Sequence, residues 1–202
     1  MLTQLSTVKA RLAIPTEDTQ YDALLTNAIK AVSARFDNET NRTLARTENA
    51  TNEFDPDDTE IIVPCYPIET VTKFELKFTE AAGWQEITPA PDYLIRSSCI
   101  ISLPAPLSTL STLYAPRSLS RVTYAGGYVL PGDNLQPSTS NFQLPADLEN
   151  AAIAQVAYWF QPRDNIGLDT IWPHFGTYQK FAQQPLLLPV QEVLNHHRRF
   201  TL

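Results

Sequence analysis

Val71-Thr72-Lys73-Phe74-Glu75-Leu76-Lys77-Phe78 alternates strictly between charged and apolar residues from Lys73 onward. Phe74, Leu76 and Phe78 fall on one face of an extended chain, and Lys73, Glu75 and Lys77 on the other. A period of two is the signature of a half-buried strand. Around it lie further short strand-like runs: Glu60–Val63, Tyr93–Arg96, Cys99–Leu103, Leu110–Tyr114 and Leu119–Tyr124. Pro64, Pro67, Pro89, Pro91, Pro104, Pro106 and Pro116 punctuate them, and proline confines strands to sheet edges. Gly126-Gly127 closes this β region.

Outward from the β region, the periodicity changes to that of helices. Leu5, Val8 and Leu12 predict a short helix stopped by Pro15. Tyr21, Leu25, Ala28, Ile29, Val32 and Phe36 recur every three or four residues and predict a helix over 17–40, with Thr16 as N-cap. On the other side, Pro145 opens a helix with the stripe Leu148, Ala152, Val156, Trp159 and Phe160, stopped by Pro162. A last short helix fits Pro189–Arg198. The order predicts an α+β fold, a helical bundle of two N-terminal and two C-terminal helices carrying a small inserted antiparallel β domain. Residues 1–46 would supply the first bundle helices, 47–130 the β-rich insertion, and 131–202 the C-terminal helices and a projecting tail.

Composition narrows the function. Of the 202 residues 43% are hydrophobic, enough for a packed core, and the net charge is −7. An acidic chain lacks the footprint for a sequence-independent grip on nucleic acid. A DNA-packaging subunit would need a basic face, which that charge opposes. No run reaches the ~18 apolar residues of a membrane span, and Met1–Ile14, with Lys9 and Arg11, does not read as a secretory signal. Cys65 and Cys99 read as buried thiols of a reducing compartment, not a disulfide.

Catalytic signals are poor. Gly127 and Gly132 have the spacing of a phosphate loop, but Asp133 and Asn134 stand where Lys and Ser or Thr are needed. There is no Gly-x-Ser-x-Gly elbow. Asp55, Asp57 and Asp58 lack the loop glycine of a calcium site, Glu60 standing in its place. His196 and His197 are adjacent and diverge on a helix. Cys99 sits in an apolar run beside Ile100 and Ile101. The aromatics Trp172, Phe175, Tyr178 and Phe181 make either a packed lid or a partner surface. No enzyme activity, catalytic residue, cofactor or metal is therefore expected. The rival, a small hydrolase, requires a nucleophile–base pair that is not legible.

Four stretches carry a resemblance: Ser6–Ile14; Asp22–Leu25 through Asn41-Arg42-Thr43-Leu44; Arg121–Tyr128 followed by Leu144–Leu148; and Leu188-Pro189-Val190 through His197-Arg198-Arg199. Their order and spacing resemble the head–tail connector (adaptor, or head-completion) proteins of long-tailed bacteriophages. Asn41 stands where that family usually has Gly, and the resemblance is silent on Thr47–Glu60 and Ile171–Gln184. It implies a structural protein of the virion neck, made in the host cytoplasm. Such a protein forms a homo-oligomeric ring, usually twelve-fold, between the portal protein and the tail or a tail-completion protein. DNA would pass through without specific binding, and no membrane is involved. Another neck or tail-completion protein is the nearest alternative.

Three groups of residues are the expected contact sites. Ala31, Ala34 and Arg35 lie off the main stripe of the long helix and are candidates for the subunit interface. Val190, Val193, Leu194 and His197 share a face of the last helix; with Arg198, Arg199, Phe200 and Leu202 they are candidates for docking on the portal. Glu53, Asp55, Asp57, Asp58 and Glu60 are candidates for an acidic lumen wall or a solvated surface loop.

Overall fold

The computed structural model describes residues 1–110, 118–133, 142–161, 170–171, 179–180 and 185–199. The strand expected at Leu110–Tyr114, most of the loop over 131–142 and the aromatics Trp172, Phe175, Tyr178 and Phe181 lie outside them, apart from the backbone of Leu110. The elements run α1 (Leu5–Arg11), α2 (Asp22–Thr40), β1 (Thr47–Phe54), β2 (Glu60–Ile62), β3 (Ile68–Lys77), β4 (Gln85–Glu86), β5 (Leu94–Arg96), β6 (Ile100–Ser102), a 3₁₀ turn (Leu107–Leu110), β7 (Leu119–Gly126), β8 (Tyr128–Val129), β9 (Phe142–Gln143), α3 (Ala146–Phe160), β10 (Thr170–Ile171), β11 (Gln179–Lys180) and α4 (Leu188–His196). The fold is α+β, with four helices, antiparallel sheets and one short parallel pair, β8–β9, among the described residues. The chain divides into a helical unit, Met1–Thr40 with Leu144–Arg198, and a β unit, Asn41–Gln143 with Arg199–Leu202.

In the helical unit most positions of the predicted stripes are buried, while Tyr21, Ala28 and Trp159 are half buried. Leu25, Ile29, Val32 and Phe36 of α2 and Leu148, Ala152, Val156 and Phe160 of α3 are all buried. Tyr21, just before α2, and Phe160, the last residue of α3, meet edge to face at 5.3 Å. Two boundaries differ from expectation. Helix α2 begins at Asp22, because residues before it fold around a buried cation. Lys9 Nζ donates to the Thr16 carbonyl at 3.0 Å and pairs with Asp22 Oδ1 at 2.7 Å. Thr16 therefore caps no helix; its carbonyl serves the lysine. Helix α4 ends at His196, short of Arg198.

In the β unit the sheet order is β1-β7-β3-β4, all antiparallel, and a second antiparallel sheet runs β2-β6-β5. Both feed one core: Phe74, Leu76, Val122 and Tyr124 from the first, Ile61 and Ile101 from the second. The alternation at 73–78 is realised as read, with Phe74 and Leu76 inward and Lys73 and Glu75 on the opposite face. The acidic stretch from Thr47, to which the sequence pattern assigns no strand before Glu60, contains β1, an edge strand. Its inward residues, Ala50, Asn52 and Phe54, are only half buried, so no apolar alternation announces it.

Gly126 and Gly127 are where this unit is tightest. A Cβ on Gly126 would lie 2.7 Å from the Cys65 carbonyl oxygen, and one on Gly127 2.7 Å from that of Ala45. Gly127 also has φ +97°, a conformation open to glycine and strained for other residues. The close approach lets Tyr128 N donate to Leu44 O at 2.8 Å and Gly127 N to Pro67 O at 2.9 Å.

Candidate assembly surfaces

Ala31, Ala34 and Arg35 are exposed on α2, away from its buried stripe. Arg35 Nη2 pairs with Glu39 Oε1 at 2.6 Å, one turn on. This pair borders a cavity of about 270 Å³ whose other wall is α4 and its lead-in: Leu186, Gln191, Leu194 and Asn195.

The C-terminal candidates are not the free face expected. Val190 and Leu194 are 2% and 3% exposed and belong to the core of the helical unit. The reason is physical: a helix this short is unstable alone and buries its apolar side on the nearest surface, here α3 and α2. Val193 is half buried. His197 Nε2 lies 2.7 Å from Asp147 Oδ2 in the first turn of α3. Burial works against the Asp147 carboxylate, but the His197 contact and charge outweigh it and hold its pKa below the ordinary value. Arg198 is exposed, whereas Arg199 is half buried and donates to the Ile62 carbonyl within the β unit. Phe200 and Leu202 lie outside the described residues.

The acidic candidates are solvated. Glu53 is exposed on β1. Asp55, Asp57 and Asp58 are exposed in the β1–β2 turn, where Asp55 Oδ1 accepts from Asp57 N at 3.0 Å. Glu60 pairs with Arg96 at 2.6 Å. Among the described residues no group of three His, Cys, Asp or Glu is placed to hold a metal. Cys65 and Cys99 are not joined in a disulfide. Cys65 Sγ donates to Gly126 O at 3.1 Å, and burial pushes the Cys99 thiol up. No described helix is long and apolar enough to cross a membrane.

Sequence reasoning missed the charged groups that brace each unit. Arg121 bonds Glu75 at 2.8 Å and lies over Trp84 at 4.2 Å. Burial opposes the charged form of Glu75, but Lys73 and Arg121 hold its carboxyl below the usual range. Arg46 grips Glu69 through two bonds of 2.9 Å. Arg42 is buried, stacked 3.4 Å over the Tyr66 ring, and donates to the Tyr66 carbonyl. Gln155, fully buried on α3, accepts from Leu187 N at 3.0 Å. Only the cross-strand proximity of Arg121 and Glu75 had a precursor in sequence, the charged face of 73–77.

A helical unit interrupted between its second and third helices by a β unit of two antiparallel sheets and a short parallel pair defines the fold class. Two solved chains from gene transfer agent particles share this fold over the whole length of the chain. A chain from the neck of an empty gene transfer agent particle, computed with C6 symmetry, superposes with a TM-score of 0.62 at 13% identity, over 100% of this chain and 91% of that one. A chain from the virion of a native gene transfer agent particle superposes with a TM-score of 0.55 at 17% identity and the same coverage. No family model and no curated protein matches the sequence.

Proposed function

We propose that this chain is a structural protein of the neck of a phage or phage-like particle, a head–tail connector forming a ring between portal and tail. The observation that carries this is the match of its entire length to a chain of a particle neck. A piece of a shared fold would say little, since folds host many functions. Agreement over both units, together with the order of the four sequence stretches, supports the adaptor role within the neck. The absence of a legible nucleophile–base pair favours a structural role over the hydrolase alternative. In this reading the ring is homo-oligomeric and twelve-fold, the portal lies on one side, and the tail or a tail-completion protein lies on the other. Acidic Glu53, Asp55, Asp57, Asp58 and Glu60 would keep passing duplex DNA from adhering, since few cations are there to replace its counterions. Ala31, Ala34 and Arg35 are proposed to meet a neighbouring subunit. Arg198 is proposed to pair with acids on the portal, and Phe200 and Leu202 to add apolar anchors there. Val190 and Leu194 are not included, being buried.

The test is to tag the chain in a producing host, purify particles and locate the tag by electron microscopy. Density at the neck with ring symmetry is expected. Absence from particles, or density on the capsid shell or tail tip, overturns the reading. Deleting His197–Leu202 should leave a folded chain that no longer joins portal-bearing heads.

A further inference from the structure

Helices α1 and α4 flank the α2–α3 pair on opposite sides. Successive residues of a helix turn by about 100°. On α2, the α1 side is marked by Asp22, paired with Lys9, and by Ser33, whose hydroxyl oxygen accepts from Leu2 N at 3.1 Å. The α4 side is marked by Arg35 and Glu39. Ser33 and Arg35 point about 160° apart. On α3, α1 meets Asn150, Ile153 and Ala154, while the lead-in to α4 is held by Gln155. Asn150 and Gln155 point about 140° apart.

Each flank has a cavity. The α1–α3 cavity measures about 430 Å³, floored by Ile153 and Ala154 and edged by Thr7 and Arg11. The α2–α4 cavity is the one bordered by Arg35 and Glu39. The flanks also differ in charge. Helix α1 contains no acid, Lys9 is consumed by Asp22, and Arg11 is exposed with no ion-pair partner among the described residues. On α4, Glu192 is exposed and equally without one. One turn before it stands Leu188, 62% exposed, the most exposed large apolar side chain among the described residues of the helical unit.

We infer that the helical unit joins copies of this chain head to tail. The α1–α3 flank of one copy seats on the α2–α4 flank of the next, with Arg11 facing Glu192 and Leu188 entering the cavity over Ile153 and Ala154. The inference rests on the ring reading above and names the surfaces that build it. Two unlike, complementary faces on opposite sides of one body make a heterologous contact, which closes into a ring when the rotation allows. A two-fold dimer would instead need one self-complementary face.

Charge reversal on the full chain tests this. Arg11→Glu and Glu192→Arg should each replace the ring with monomer in sedimentation velocity at matched concentration, with unchanged thermal melting. The double variant should restore the ring, and so should mixing the two single variants, since each then offers its neighbour an opposite charge. Single variants that assemble like the wild type overturn the inference. So does a folded double variant that stays monomeric, or a wild type that stays monomeric at the highest attainable concentration. The neck reading is judged separately, by whether the wild-type chain co-purifies with particles, so the two can fail independently.

Discussion

Lys9 Nζ and Asp22 Oδ1 meet at 2.7 Å, with the lysine side chain 4% exposed and the aspartate 31%. The pair fixes the first helix against the start of the second and decides where the second begins. Lys9→Met keeps the aliphatic stem but leaves Asp22 and the Thr16 carbonyl without their cation. The expected loss is about 1–3 kcal/mol in urea unfolding, below the full cost of breaking a buried pair because Asp22 reaches water. A loss under half of that would mean the segment before α2 is held by something else.

Glu75 predicts the acid limb of stability. Its folded pKa is lowered, so its contribution is fully present above the ordinary carboxylate value and is lost as pH falls through the folded one. Unfolding free energy of the wild type should therefore drop below about pH 4.5. Glu75→Gln should be less stable at pH 7 and show a shallower drop. Parallel acid limbs for the two proteins would remove Glu75 from that role.

Gly126→Ala forces a Cβ to 2.7 Å from one backbone carbonyl and 2.9 Å from another. Neither neighbour is a flexible side chain, so strands must separate. A loss of at least ~2 kcal/mol is expected, in the range of core overpacking. Gly127→Ala adds strain from its positive φ to the same kind of clash. Circular-dichroism melts of both variants check this, and unchanged melting temperatures would contradict it.

Gln155→Leu leaves the Leu187 amide without its acceptor in a buried site. The expected cost is about 1–3 kcal/mol, concentrated in α4. Hydrogen exchange of amides in 187–196 should rise while that of α2 stays put. Uniform change across both helices would mean that α4 does not open on its own.

The helices were legible because they bury one stripe each, and so was β3, where Phe74 and Leu76 face the core and Lys73 and Glu75 do not. Legibility ended where neighbours remote in sequence decide the outcome. Strand β1 is made by its pairing with β7, Glu53 opposite Arg121, and carries no pattern of its own. The start of α2 is set by Lys9, a residue that composition would place in solvent. Among the candidate contacts, Ala31, Ala34 and Arg35 were readable as the off-stripe side of a helix. Val190 and Leu194 were not readable as buried, because an apolar face has the same sequence whether it docks outward or packs inward.

The segments by which the chain enters and leaves the β unit are stitched to one another. Ala45 pairs in parallel with Tyr128, and Tyr128 with Phe142. For the folding chain this is a matter of loop entropy. Before the β unit forms, helices α2 and α3 can meet only by closing the whole of 41–143, and such closure costs more the longer the free loop. Once Ala45, Tyr128 and Phe142 share a ladder, the free length between Thr40 and Leu144 shrinks to a few residues. The β unit therefore acts as the clamp that makes the helical core affordable, and φ-values should be high around Tyr128 and low along the α2–α3 contact.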